Sequence, residues 1–344
     1  MVSILISDFD IPFLRETSRS LIYGGLRQGT RRTYNSAQKS YINFCQSHDL
    51  CPVPASEDTI LLYVTHLYLN KLKYTSVRVY LSAVRSLHIE EGVGNPIEGY
   101  LQVKQAVRCL QINNSSPKQK LPITISVLRD LHQVCSAGSF NNKMLWAAIT
   151  TAFYGCLRAS EFTVPVTFDP QVHLCVNSVT FTNAYAQSVM SLFVKRSKTD
   201  LTNKGFTVNI CCVPDITCAV CAMRSYLDTR SCPDPLSPLF VFHNNVPLLN
   251  RLFQKHLTLL LSLKGYPTDQ YSGHSLRIGS ATTAASVGLQ DWQIKLLGRW
   301  TSESYQRYIR APIQLVLSLS KRLIQVPTTS QLYDFRNPYL TNVI

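Results

Sequence analysis

Acidic residues are scarce in this chain: 20 Asp and Glu stand against 34 Lys and Arg in 344 residues, for a formal charge of +14. The few carboxylates are dispersed, without the clusters that hold the divalent ions of metal-dependent nucleases, so that class of chemistry is disfavoured. Long apolar runs are also missing. The stretch 257–263 (LTLLLSL) is far short of the ~20 residues a membrane helix needs, so no membrane partner is expected. The opening MVSILISDFDIPF lacks a basic n-region and is interrupted by Asp8 and Asp10, which argues against a secretory leader. An intracellular protein is expected, nuclear in a eukaryote and cytoplasmic otherwise. Internal repeats and low-complexity tracts are absent as well.

Cysteine is plentiful but lacks a framework. Eleven Cys, an odd number without a secretory leader, imply free thiols in a reducing compartment. Cys211, Cys212, Cys218, Cys221 and Cys232 cluster in sequence, and Cys218-Ala-Val-Cys221 has metal-ligand spacing. A second closely spaced Cys/His pair is missing, so Cys218 and Cys221 read as small apolar residues entering a helix. No metal and no cofactor are expected.

The charge that is present is uneven. Residues 1–118 carry +4 and residues 119–344 carry +10. A basic chain with a packed-core composition favours a polyanionic partner, nucleic acid first.

Residues 12–111 read as all-helical. Leu21, Tyr34, Ala37, Tyr41 and Phe44 recur at helical spacing, as do Ile60, Tyr63, Val64, Leu67 and Tyr68. A third stripe runs through Val77, Tyr80, Leu81, Val84 and Leu87. The polar stretch 113–120 (NNSSPKQK) reads as a linker. Beyond it, helices are predicted at 125–135 and 143–154, then strands at 172–181, 188–195 and 205–213 with a hairpin turn at 199–205. Helices resume at 218–229, 250–263, 275–287, 291–297 and 313–324. A helical first domain and a mixed second domain follow.

Residues 273–310 read GHSLRIGSATTAASVGLQDWQIKLLGRWTSESYQRYIR. His274 and Arg277 lie one helical turn apart at a helix N-terminus, where backbone N–H groups also favour anions. Upstream, Arg158 follows an apolar helix ending at Gly155-Cys156, and Glu161 is placed to pair with it. Lys198 lies in the predicted hairpin turn. Arg donates bidentately to phosphate. His titrates near neutral pH, and a Tyr can form a covalent phosphoryl intermediate. Tyr305 and Tyr308 are both candidates, and Tyr308, followed by Ile309 and Arg310, is favoured. Lys195, Arg196 and Lys204 are alternatives to Lys198.

This combination resembles the catalytic set of the tyrosine recombinases, the phage-integrase family, over roughly residues 15–325. The resemblance implies a site-specific recombinase or integrase that cleaves and rejoins DNA strands through a 3′-phosphotyrosyl intermediate without metal. Its catalytic residues would be Arg158, Lys198, His274, Arg277, Trp300 and Tyr308. Trp300 stands where the family has His or Trp, eight residues before Tyr308 rather than the usual nine or so. No position of the set is missing. The implied fold is an N-terminal all-α (SAM-like, core-binding) domain at 12–112, a linker at 113–121, a mainly helical α+β catalytic domain with a small antiparallel sheet at 122–325, and a tail at 326–344. The first domain would clamp double-stranded DNA with Arg31, Arg32, Lys71, Lys73 and Arg78. The apolar segment 311–324 would pass to a neighbouring protomer in a synaptic tetramer. The GRW…RYIR ending and the high Cys content look similar to recombinases of eukaryotic mobile elements of the Crypton, DIRS and Ngaro types. A catalytically silent DNA-binding relative and a type IB topoisomerase-like nicking-closing enzyme are the rival readings.

Overall fold

The computed structural model describes residues 10–113, 119–136, 138–184, 186–198, 200, 202–231 and 234–310. The chain divides into two compact units, Met1–Pro117 and Lys118–Ile344. Of the stretch read as a linker, residues 114–118 lie outside the described ones, as do the C-terminal tail and the segment 311–324.

Among the described residues the first unit has five helices: α1 (Ile11–Gly24), α2 (Gln28–Ser47), α3 (Glu57–Leu69), α4 (Tyr74–Glu90) and α5 (Leu101–Ile112). Helix α3 starts where its sequence directs. The Ser56 hydroxyl accepts the Thr59 N–H at 3.1 Å, and Glu57 and Asp58 complement the helix dipole. Tyr41, Phe44, Ile60, Tyr63, Val64, Val77, Leu81 and Val84 form the core, which joins three of the periodic stripes. His88 is buried within it. Its Nε2 accepts the Ala55 N–H at 3.0 Å and its Nδ1 lies 2.8 Å from the Val84 carbonyl, so the ring is the neutral Nδ1–H tautomer. Two residues of the predicted stripes depart from the core. Leu21 is 72% exposed, on a helix that buries none of its side chains, and Tyr68 is 57% exposed at the end of α3.

The second unit contains α6 (Ile125–Cys135), α7 (Phe140–Tyr154), the single turn α8 (Ala159–Phe162), a three-stranded sheet, then α9 (Ala219–Arg230), α10 (Asn250–Leu263), α11 (His274–Ser286) and α12 (Asp291–Gly298). A 3-10 turn, Glu303–Arg307, follows. The sheet is an antiparallel meander of β1 (Val179–Ala184), β2 (Gln187–Val194) and β3 (Phe206–Cys211). Val179 pairs with Leu192, and Val189 with Cys211. Met190, Leu192, Val194, Val208 and Ile210 face the core, the alternation expected of a sheet packed on one side. The fold is therefore mostly helical with one small antiparallel sheet.

The first strand is shorter than predicted. Residues 172–178 are a loop and a 3-10 turn, because the amides of Val172 and His173 fold back onto the Asp169 carbonyl. Leu174 and Cys175 are buried from that loop, which gives the segment its strand-like composition. Among the described residues no helix is long and apolar enough to cross a membrane.

Helix α7 is the axis of the second unit. Every residue from Met144 to Phe153 is buried, as expected of a helix apolar on all sides. Helix α11 packs against it and is held from the other side by the entering chain. The N–H of Ile123 bonds the Ser275 carbonyl at 2.9 Å, and that of Leu121 bonds Gln270 at 2.8 Å. Gly279 permits this approach, since a Cβ there would stand 1.8 Å from the Ile123 carbonyl oxygen.

Gly279→Ala should therefore destabilise the protein by about 1–3 kcal/mol through overpacking. Helix propensity alone gives the opposite sign, by ~1 kcal/mol. Chemical denaturation of the wild type and the variant decides between them, and an unchanged or raised midpoint would show that the backbone of 121–125 is free to move.

Candidate active site

The site forms where α7 ends. Gly155 closes the helix, and Cys156 takes a left-handed backbone conformation with φ of 47°, rare for a side chain other than Gly or Asn. The Cys156 carbonyl accepts a hydrogen bond from Arg277 Nη1 and a longer one, 3.3 Å, from Arg299 Nη2. Arg277, on the first turn of α11, is fully buried. Its Nη2 donates to the Gly298 carbonyl at 2.7 Å, where α12 ends. The guanidinium stacks on Trp300, 4.3 Å from the ring centroid, and lies 5.8 Å from the Tyr308 ring. Its Nε–H is buried with no hydrogen-bond partner among the described residues.

A second arginine is fixed beside the first. Arg158 Nη1 donates to Glu161 Oε1 at 2.8 Å and to Ser197 Oγ at 3.0 Å, while Ser197 donates to the same carboxylate oxygen at 2.8 Å. The Arg158 backbone N–H bonds Glu161 Oε2 at 2.9 Å, so one carboxylate holds both ends of the residue. Arg299 approaches Glu161 Oε2 at 3.6 Å, donates to the Gly155 carbonyl at 2.9 Å and stacks on Phe206. Its Nε–H is a second buried donor without a partner among the described residues. The single carboxylate of Glu161 is thus paired with two guanidinium groups, and the guanidinium of Arg277 shares the Cys156 carbonyl with Arg299. Charge that stays uncompensated in a buried place is costly, and an anion is the group that would relieve it. Burial holds Arg277 and Arg299 below the usual guanidinium pKa, and Arg158 adds to the effect on both.

His274 is the first residue of α11. Its ring meets that of Tyr308 edge-on, with centroids 5.0 Å apart. Burial, and then the charges of Arg277 and Arg158, lower its pKa below the ordinary 6.5, so the imidazole is neutral at pH 7. Trp300 lies 5.3 Å from Tyr308 on its other side. The Gly298-Arg299-Trp300 turn makes that placement, with Arg299 left-handed at φ 55°. A Cβ on Gly298 would fall 1.8 Å from the Trp300 ring, so only glycine lets the indole fold back over its own turn.

The two tyrosines are treated differently. Tyr305 is 1% exposed and packs with Cys156, Ala281, Ala284 and Ile294 as a core residue. Tyr308 is half-buried and faces His274, Trp300 and Arg277. It stands at the end of the 3-10 turn rather than on a helix, with its carbonyl accepting from Thr282 Oγ1 at 3.0 Å.

Of the residues singled out from the sequence, Arg158, His274, Arg277, Trp300 and Tyr308 are brought together. Lys198 is not in contact with them. It is exposed in the loop between β2 and β3 and belongs to the site through its neighbour Ser197. Lys195 is committed elsewhere, with Nζ on the Pro170 carbonyl at 2.6 Å and on Cys175 Sγ at 3.1 Å. Sequence reasoning missed Ser197 and Arg299. A lone Ser carries no visible mark, but Arg299 sits inside the GRW turn and could have been suspected.

In the first unit Arg32, Lys71, Lys73 and Arg78 are exposed. Arg31 is half-buried, with its Nε donating to the Leu26 carbonyl at 2.7 Å and its guanidinium over the Tyr23 ring. An open groove of about 770 Å³ beside α4 and α5 gathers Arg78, Arg85, Lys104 and Arg108. Spacings of seven residues on α4 and four on α5 place these charges together, a pattern readable in the sequence but not singled out there.

No protein-family profile matches the chain. It is 28% identical over 295 residues, 81% of each chain, to the integrase/recombinase xerD homolog of Selenomonas ruminantium. Its fold is similar to that of the Tn1549 transposon integrase solved with circular intermediate DNA, with a TM-score of 0.58 at 12% identity over 89% of this chain and 98% of that one. It is also similar to a lambda integrase dimer bound to a core site, with a TM-score of 0.54 at 13% identity over 87% and 77%. The chain thus shares its fold with these integrases.

Proposed function

We propose that this chain is a site-specific DNA recombinase of the tyrosine recombinase family, working on a mobile element. The observation that carries the reading is the cluster in which Arg158 and Arg299 share the carboxylate of Glu161 while Arg277 lies against the rings of Trp300 and Tyr308. A DNA phosphodiester supplies the missing negative charge, and the unpartnered Nε–H groups are donors for its non-bridging oxygens. Tyr308 Oη attacks phosphorus, its proton passes to neutral His274, and the P–O5′ bond breaks. Lys198 protonates the departing 5′ oxygen, leaving a 3′-phosphotyrosyl link. A new 5′-OH then reverses the steps, so bond energy is conserved and neither metal nor nucleotide is consumed. The exposed basic residues of the first unit hold the duplex by its phosphates. One cut per protomer and two duplexes require a tetramer at synapsis.

Incubation with a nicked suicide substrate, with Mg²⁺ omitted, should trap a covalent protein–DNA adduct. Tyr308→Phe should abolish it with DNA affinity nearly unchanged, because affinity rests on phosphate neutralisation. An adduct that persists in Tyr308→Phe or maps to Tyr305 overturns the assignment, and DNA binding without any adduct in the wild type identifies a silent relative.

Replacing the bridging 5′ oxygen by sulfur separates the acid from the charge clamp. A thiolate departs without a proton, so Lys198→Ala should fail on the oxygen substrate and recover on the sulfur one. Arg277→Ala should lose ~100-fold or more on both. Equal defects of Lys198→Ala on the two substrates would remove it as the acid and leave Lys204 as the next candidate.

The pH profile tests His274. It must be neutral to accept the phenolic proton, and burial with two neighbouring cations holds it below 6.5. The acid limb of single-turnover cleavage should therefore fall below pH 6.5, and Arg158→Ala should move it upward. A limb at or above 6.5 in the wild type is inconsistent with this role.

A further inference from the structure

Three cysteines that the recombination chemistry does not use converge at the other end of the hairpin. Cys212 follows β3, Cys218 caps the N-terminus of α9, and Cys221 lies in that helix's first turn. Cys212 Sγ is 3.5 Å from Cys218 Sγ and 3.6 Å from Cys221 Sγ, and all three sulfurs lie within 4.8 Å of one another. These spacings are far from the ~2.05 Å of a disulfide. They are close to the edge of a tetrahedron around a metal, since M–S bonds of ~2.3 Å put the sulfurs about 3.8 Å apart. The three sulfurs form one face of that tetrahedron.

A second observation concerns the sulfur of Cys218. The backbone N–H groups of Val213, at 3.4 Å, and of Cys221, at 3.5 Å, both point at it. Amide donors of this kind orient metal-bound sulfur. Cys218 is buried as an apolar residue would be, but Cys221 is exposed, which corrects its reading as a buried thiol, and Cys212 is half-buried. Three soft sulfur donors without a carboxylate select zinc-like ions over Mg²⁺ or Ca²⁺.

We propose that Cys212, Cys218 and Cys221 form a binding site for one thiophilic divalent ion, Zn²⁺, with water in the fourth position. The three thiols lose three protons on binding, and no redox change occurs. The ion joins the exit of β3 to the start of α9 and closes the short loop between them. It lies about 20 Å along β3 from the loop that carries Lys198, at ~3.3 Å per residue, so it serves the fold rather than the phosphate chemistry.

The test uses the full chain, stripped of metal, kept reduced with a phosphine and titrated with Zn²⁺ and with Cd²⁺. One ion per chain should bind, with a thiolate-to-cadmium ultraviolet band of three-sulfur intensity and a rise in Tm. Cys221→Ser, at an exposed position that does not threaten folding, should weaken binding by at least ~10-fold and reduce the band. Cys211→Ser and Cys51→Ser, also at exposed positions, should leave both unchanged. Wild-type protein that takes up no stoichiometric metal, undiminished binding by Cys221→Ser, or an equal loss in Cys211→Ser would each overturn the site. If Cys218→Ser fails to fold, Cys212→Ser gives the same reading.

Discussion

The second unit depends on one buried cation. Arg277 is wholly removed from water, and its guanidinium is held by the carbonyls of Cys156 and Gly298 and by the face of Trp300. Those contacts tie the end of α7, the start of α11 and the end of α12 to a single planar group. Desolvating an ion is expensive, and carbonyl dipoles repay only part of it, so the geometry of all three helix ends is set by the need to keep donors and acceptors aligned. The left-handed backbone at Cys156 and Arg299 belongs to the same constraint: each opens a turn that presents a carbonyl or an indole to the cation.

Glu161 organises the other half of the site. Its carboxylate receives Arg158 and Ser197 and lies within ion-pair distance of Arg299. Because Ser197 precedes Lys198, the loop between β2 and β3 is anchored to the same group that orients Arg158. Arg158 and the loop that carries Lys198 therefore share a foundation. Disturbing the carboxylate would disturb both, and substitutions at Arg158, Glu161 and Ser197 belong to one network whose effects do not add.

Helix existence was readable along most of the chain, because apolar periodicity agrees with tertiary packing at α3, α6 and α10, and a capping serine starts α3. The bounds of α6 and α10 coincide with the predicted ones. Residues 172–178 misled, since buried Leu174 and Cys175 beside half-buried Val172 and Val176 give a loop the composition of a strand. Leu21 belongs to an amphipathic pattern whose helix finds no core among the described residues. In the site, side chains that differ chemically from their neighbours (His274, Arg277, Trp300, Tyr308) stood out. Ser197 and the Cys156 carbonyl did not, because their roles come from backbone conformation and long-range proximity. Cys212 illustrates the same limit: it lies outside the Cys218–Cys221 spacing and joins the pair only through the strand that delivers it.

The excess of positive charge around Glu161 has a thermodynamic price for the free protein. Three guanidinium groups against one carboxylate repel one another in a place with little solvent to screen them. A chain built only for stability would replace Arg277 with an apolar side chain of similar volume, as buried ion sites often tolerate with a gain. Under the proposed function, retaining it links folding to the binding of an anion, since a ligand held by the folded state alone stabilises that state. Inorganic sulfate or phosphate would accordingly act as a surrogate for the backbone of a nucleic acid, raising the protein's resistance to heat in proportion to how well it fits between the arginines.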